Sequence, residues 1–169
     1  ADIMAAHDIG SGGLMPDRTL LLSLPLEIAA ELERSSREAL AGVSGMSADS
    51  KELRDTLNDI RAMAQLARYY AAKIRSAAAL ALFDRSRNAE EKAEGVRQAE
   101  QAVEAWQAYS AEYTAQYVQP RLYNRVGFVD IPQLLSRARE DVELAKRWTP
   151  GTFPGDEPRK NAADVLFRR

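Results

Sequence analysis

The sequence predicts an all-α fold: an antiparallel up-down four-helix bundle with two long central helices and two shorter flanking helices. Three observations predict it. Between Ser50 and Asp84 the apolar residues Leu53, Leu57, Ile60, Ala64, Ala67, Ala71, Ile74, Ala78 and Ala81 recur at spacings of three and four. A second run repeats the pattern through Val96, Ala99, Val103, Trp106, Ser110, Tyr113 and Tyr117. Glycine and proline concentrate between these runs and towards the chain ends.

Taken in order, residues 1–24 read as an irregular N-terminal tail, with Gly10, Gly12, Gly13 and Pro16 as breakers. Leu20 to Leu24 reads as a short strand or an apolar strap. The first helix is expected from Pro25, suited to an opening turn, to about Ala41, stopped by Gly42 and Gly45. The second opens with Asp49 as N-cap and Glu52 three residues on. Beside its main stripe lies another, Met63, Leu66, Tyr70, Ala77 and Leu80, and two stripes imply two neighbours. Asn88 caps the third helix, which runs to about Gln119 before Pro120. Gly95 inside it marks a close helix approach. Residues 120–129 read as a loop. Asp130 caps the fourth helix, with Pro132 in its first turn and its end near Trp148. The bundle thus spans 25–148, and 149–169 read as an extended C-terminal tail.

Short loops make consecutive helices antiparallel. On these boundaries both short helices lie beside the same half of the long hairpin, and the half around Ala71 to Val103 is left as a bare two-helix arm. Its surface, made by Ile74, Ala78, Leu80, Leu82 and Phe83 with Val96 opposite, is too apolar for solvent. It is expected to be a docking face, covered by a tail, a second copy of the chain or a neighbouring domain.

Composition narrows the chemistry. The 169 residues are 46% hydrophobic and 28% charged, ordinary globular material for one domain. A net charge of −2 supplies no footprint for nucleic acid. No apolar run is long enough for a membrane span. Cysteine is absent, so disulfides and thiolate chemistry are excluded, and the single histidine, His7, falls in the tail. A di-iron bundle needs Glu-x-x-His pairs, which this chain lacks. Acids such as Asp59, Glu104 and Glu112 sit beside basic residues at helical spacing and read as solvated faces. No catalytic, metal or cofactor site is expected. The aromatic set reads mainly as core. Tyr69 and Tyr109, off the main stripes, are the expected exposed members and the candidate sugar contacts.

Three stretches together carry a family resemblance: PLEIAAELE at 25–33, LRDTLNDIRAMAQLARYYAAKIRSA at 53–77 and VGFVDIPQLLSRAREDVELAK at 126–146. Their order and spacing resemble a helical region of large bacterial polysaccharide-degrading, glycoside-hydrolase-like proteins. The resemblance implies a non-catalytic structural module whose parent keeps catalysis in a barrel domain; without an initiator Met, the sequence reads as a mature chain or, in preference, an excised module. The resemblance also implies a neighbouring domain or polysaccharide as partner, and a periplasmic or secreted setting; without it the expectation is cytoplasmic. The residues alone leave two other readings open: a free-standing bundle that self-associates, and a bundle with an aromatic-lined sugar or small-molecule pocket.

Overall fold

A computed structural model of the chain describes residues 18–151. The tail residues 1–17, with His7, and residues 152–169 lie outside the described residues. Among the described residues the chain is mostly helical, with four helices and one small hairpin of strands: α1 (Arg18–Val43), α2 (Lys51–Ser86), α3 (Ala89–Gln116), β1 (Arg121–Tyr123), β2 (Gly127–Val129) and α4 (Leu135–Arg147).

Local chemistry sets the boundaries. Ser50, one residue after the expected Asp49, caps α2: its side chain accepts from the Leu53 N–H at 3.1 Å. Arg87 takes a left-handed conformation, φ 61°, and its N–H closes the helix on the Phe83 carbonyl at 2.9 Å. Asn88 then caps α3 by accepting from the Glu90 N–H at 3.0 Å. Asp130 accepts from the Gln133 N–H at 3.1 Å, ordering a turn that leads into α4.

Consecutive helices contact one another. Glu33 of α1 pairs with Arg75 of α2 at 2.9 Å, while Ser36 and Ala39 lie with Ile60, Ala64 and Ala67 further back along α2. The α1 face uses Ala29, Ser36 and Val43, seven residues apart and all buried, and the α2 face answers with Leu57, Ala64, Ala71 and Ala78. Small side chains at a heptad repeat bring the two backbones close. Between α2 and α3 the approach centres on Gly95. Its carbonyl accepts from the Ser76 hydroxyl at 2.8 Å, and a Cβ there would meet Leu80 at 2.8 Å.

Two expectations need correction. α1 begins at Arg18, so Pro25 lies inside it and Leu20 to Leu24 are helical, neither a strand nor a strap. An interior proline gives up one helix hydrogen bond and crowds the carbonyl four residues back, which is why the sequence favours a first-turn reading; α1 nevertheless continues through Pro25. The second correction concerns the arm. Residues 120–129 are no plain loop: β1 and β2 pair antiparallel, Leu122 opposite Phe128. This hairpin carries the chain back along α3, so Ile131 lies under Trp106, and α4 runs down the arm. Val142 and Ala145 of α4 pack on Leu80 and Ala99, with Val96 and Trp148 at the edge. Leu80 is buried under α4, Ala78 is buried on the α1 side, Phe83 is buried as well, and Ile74, Leu82 and Val96 are half-buried. The expected docking face is largely internal core.

Candidate functional site

The open end of the α2–α3 pair carries an aromatic ladder. Tyr109, Tyr113 and Tyr117 stand four residues apart on α3, nearly one turn each, and Trp106 precedes them by three. Ring centroids step through Tyr70, Tyr69, Trp106, Tyr109, Tyr113 and Tyr117 at 5.3, 4.9, 5.2, 5.5 and 4.7 Å. The first three contacts are edge-on, the geometry the ring quadrupoles favour. At the buried end the Trp106 indole N–H donates to the Ile131 carbonyl at 3.2 Å. That bond fixes the chain just before α4.

At the solvent end the ladder becomes polar. The Tyr117 hydroxyl donates to the Asp59 carboxylate, 2.8 Å from Oδ1 and 3.1 Å from Oδ2. Gln116 Nε2 also donates to Asp59 Oδ1, at 3.2 Å. The Arg121 guanidinium lies 4.3 Å from the Tyr117 ring centroid, a cation–π contact. The Tyr113 and Tyr123 hydroxyls hydrogen-bond to each other. Gln119 supports the hairpin from below: its Oε1 accepts from the Ile131 N–H at 3.1 Å and its Nε2 donates to the Tyr117 carbonyl at 3.2 Å.

These groups border an open cleft of about 580 Å³ between α2, α3 and the hairpin, with Met63, Leu122 and Asn124 completing its rim. Tyr109, Tyr117 and Tyr123 in its wall are raised above the ordinary phenol value. Burial, together with the hydrogen bond to Tyr113, pushes the Tyr123 hydroxyl up to about 12. The bond to the Asp59 carboxylate raises Tyr117, and burial raises Tyr109 and Tyr69.

The cleft presents tyrosine faces, one guanidinium and one carboxylate, groups that can bind a polar ligand. Hydrolysis of a glycosidic bond uses two carboxyl groups flanking the bond. Asp59 is the single carboxylate in the lining, and it already accepts bonds from Tyr117 and Gln116. Glu104 lines a different groove, between α1 and the α2–α3 pair. Among the described residues no cluster of histidine and acid side chains is placed to hold a metal ion, and no helix is long and apolar enough to cross a membrane.

The sequence-predicted aromatic contacts exchange places. Tyr109 is buried, and Tyr69 is half-buried between Tyr70 and Trp106. Tyr70, assigned to an inward stripe, is half exposed instead. Sequence reasoning missed Asp59, Arg121 and Tyr123 as a group. The available signal was the four-residue tyrosine spacing running straight into a loop with Arg121 and Tyr123. The hairpin also displays large apolar side chains: the cross-strand partners Leu122 and Phe128 are 65% and 73% exposed, and Val118 and Val126 are exposed beside them in sequence.

Comparison of the chain with protein-family models, with curated proteins and with solved structures finds no match.

Proposed function

We infer that the chain is a non-catalytic helical module, an up-down bundle acting in domain packing or assembly within a polysaccharide-degrading, glycoside-hydrolase-like protein. One observation carries the docking role. Leu122 and Phe128 face each other across the hairpin with most of their surface in water. Isolated two-stranded hairpins are marginal in water, and exposed apolar pairs of this kind mark contact surfaces. The polysaccharide setting rests on the resemblance of residues 25–33, 53–77 and 126–146. The partner is a neighbouring domain of the same protein.

A second reading has its own support. The cleft beside the hairpin presents tyrosine faces, Arg121 and Asn124, groups that suit a sugar or a small polar ligand. In that reading Tyr113 and Tyr123 position the wall, and Arg121 meets the ligand.

A photo-crosslinking phenylalanine analogue placed at Phe128 in the full-length protein tests the docking role. The module reading expects adducts to a peptide of a carbohydrate-active domain, lost when Leu122 is changed to Asp. Adducts to sugar alone would favour the second reading. No adducts above those of a probe at an exposed α3 site such as Gln107 would refute the docking role.

A further inference from the structure

α2 has three faces, and the described residues cover two of them. One packs on α1 through Leu57, Ala64, Ala71 and Ala78. Another packs on α3 and α4 through Ala62, Ser76, Leu80 and Phe83. The third runs through Ile60, Met63, Ala67, Tyr70, Ile74 and Ala77, spaced alternately by three and four. That is the heptad seam of a coiled coil. It contains no charged side chain, whereas the outer side of α3 carries Arg97, Glu100 and Glu104. Met63 is 62% exposed and Tyr70 51%, and Ile60 and Ala77 are exposed as well.

The seam has mixed flanks, with Asp59 on the α1 side and Lys73 and Asp141 on the α4 side beside apolar groups. Ser35 and Ala39 of α1 share a groove of about 420 Å³ with Ile60, Met63 and Ala67. Ile28 stands seven residues before Ser35, on the same side of α1, and is exposed. On the far edge Leu144 of α4 borders Ala77. Two helices abreast over this length present a face about 30 Å by 20 Å, on the order of 600 Å². That is the lower end of the roughly 600–1,000 Å² per partner that specific interfaces bury.

We propose that this face pairs with the same face of a second copy of the chain, antiparallel, with the two-fold axis between Ala67 and Tyr70. Side-chain size selects this occupant. In an antiparallel seam the layers set Ile60 against Ala77, Ala67 against Tyr70, and Met63 against Ile74. Small residues then meet large ones in two of the three distinct layers, and no layer holds two alanines. A parallel pairing stacks Tyr70 on Tyr70 and Ala67 on Ala67, crowding one layer and leaving a void in another. A surface that complements itself when reversed is what a two-fold dimer requires. The pairing needs neither the hairpin contact nor the polysaccharide setting.

Light scattering of the purified 169-residue chain across micromolar concentrations should give twice the 18.7 kDa chain mass. Tyr70→Glu and Ala77→Glu, at exposed positions, should each return the mass to one chain with the helical circular dichroism unchanged. Orientation is read separately. The chain has no cysteine, so Ile60→Cys and Ala77→Cys single variants can be mixed with a short bis-maleimide. The cross-linked product between the two variants should exceed the Ile60→Cys self-product at least ten-fold. A single-chain mass at all concentrations overturns the proposal, and would point to a terminal segment or another protein on the face. Self-linking of Ile60→Cys in excess would overturn the antiparallel pairing.

Discussion

Trp106 joins three segments through one side chain. Its ring contacts Tyr69 of α2 and Tyr109 of its own helix, and its N–H holds the Ile131 carbonyl. Because it is buried, Trp106→Ala removes a large apolar group from a place that cannot collapse around the loss. The expected cost is roughly 3–5 kcal/mol by urea unfolding. An unchanged midpoint would mean that the indole is not part of the core. A second residue-scale expectation concerns pH. The Tyr123 hydroxyl is raised from 10.0 to about 12 in the folded chain. The fold therefore prefers its protonated form, and this contribution is complete below the unfolded value near 10. It is lost as pH rises from there through about 12. The thermal midpoint of the wild type should fall more steeply over that interval than that of Tyr123→Phe. Parallel curves would show that folding does not raise the Tyr123 hydroxyl.

Helices α2 and α3 meet most closely where Gly95 faces Leu80. Gly95→Ala gains up to about 1 kcal/mol of helix propensity. Against this, the new Cβ would stand 2.8 Å from Leu80 Cγ, on a buried side chain with Ala99 and Val142 behind it. Overpacking costs about 1–3 kcal/mol, so the net effect should be destabilising. Leu80→Ala should reverse much of that increment in a double-mutant cycle; a rise in the midpoint of Gly95→Ala alone would contradict the close approach. The periodicity of these two helices and the Asn88 cap were legible in the sequence, because a helix end and a buried stripe both leave local signals, whereas the α2 cap is Ser50 and not the expected Asp49. Asn88 as cap and Trp106 as core needed no tertiary information. The placement of α4 was not legible. It depends on a hairpin of two three-residue strands, too short for a period-two pattern, whose exposed Leu122 and Phe128 resemble neither face of a sheet. With the helix expected to start at Asp130, α4 fell beside the wrong half of the long pair and Leu80 looked uncovered, while Ala78 is covered from the α1 side. The tyrosine cleft was hidden for a related reason: Asp59 and Tyr117 are 58 positions apart, and only the packing of α2 against α3 joins them.

At the scale of the whole molecule, apolar surface is unevenly distributed. The outer sides of α3 and α4 are largely charged, with pairs such as Arg97–Glu94 and Arg137–Glu140. Large exposed apolar side chains collect on the hairpin and on the open face of α2, which approach each other where Met63 and Leu122 border the cleft. A protein that acts by contact has a use for such faces, whereas a hydrolase needs a paired acid and base. The most direct measurement is reducing-end release by the purified chain from a panel of polysaccharides. A non-catalytic module predicts no release above buffer, for the wild type and for Asp59→Asn alike. Release by the wild type that Asp59→Asn abolishes would contradict it.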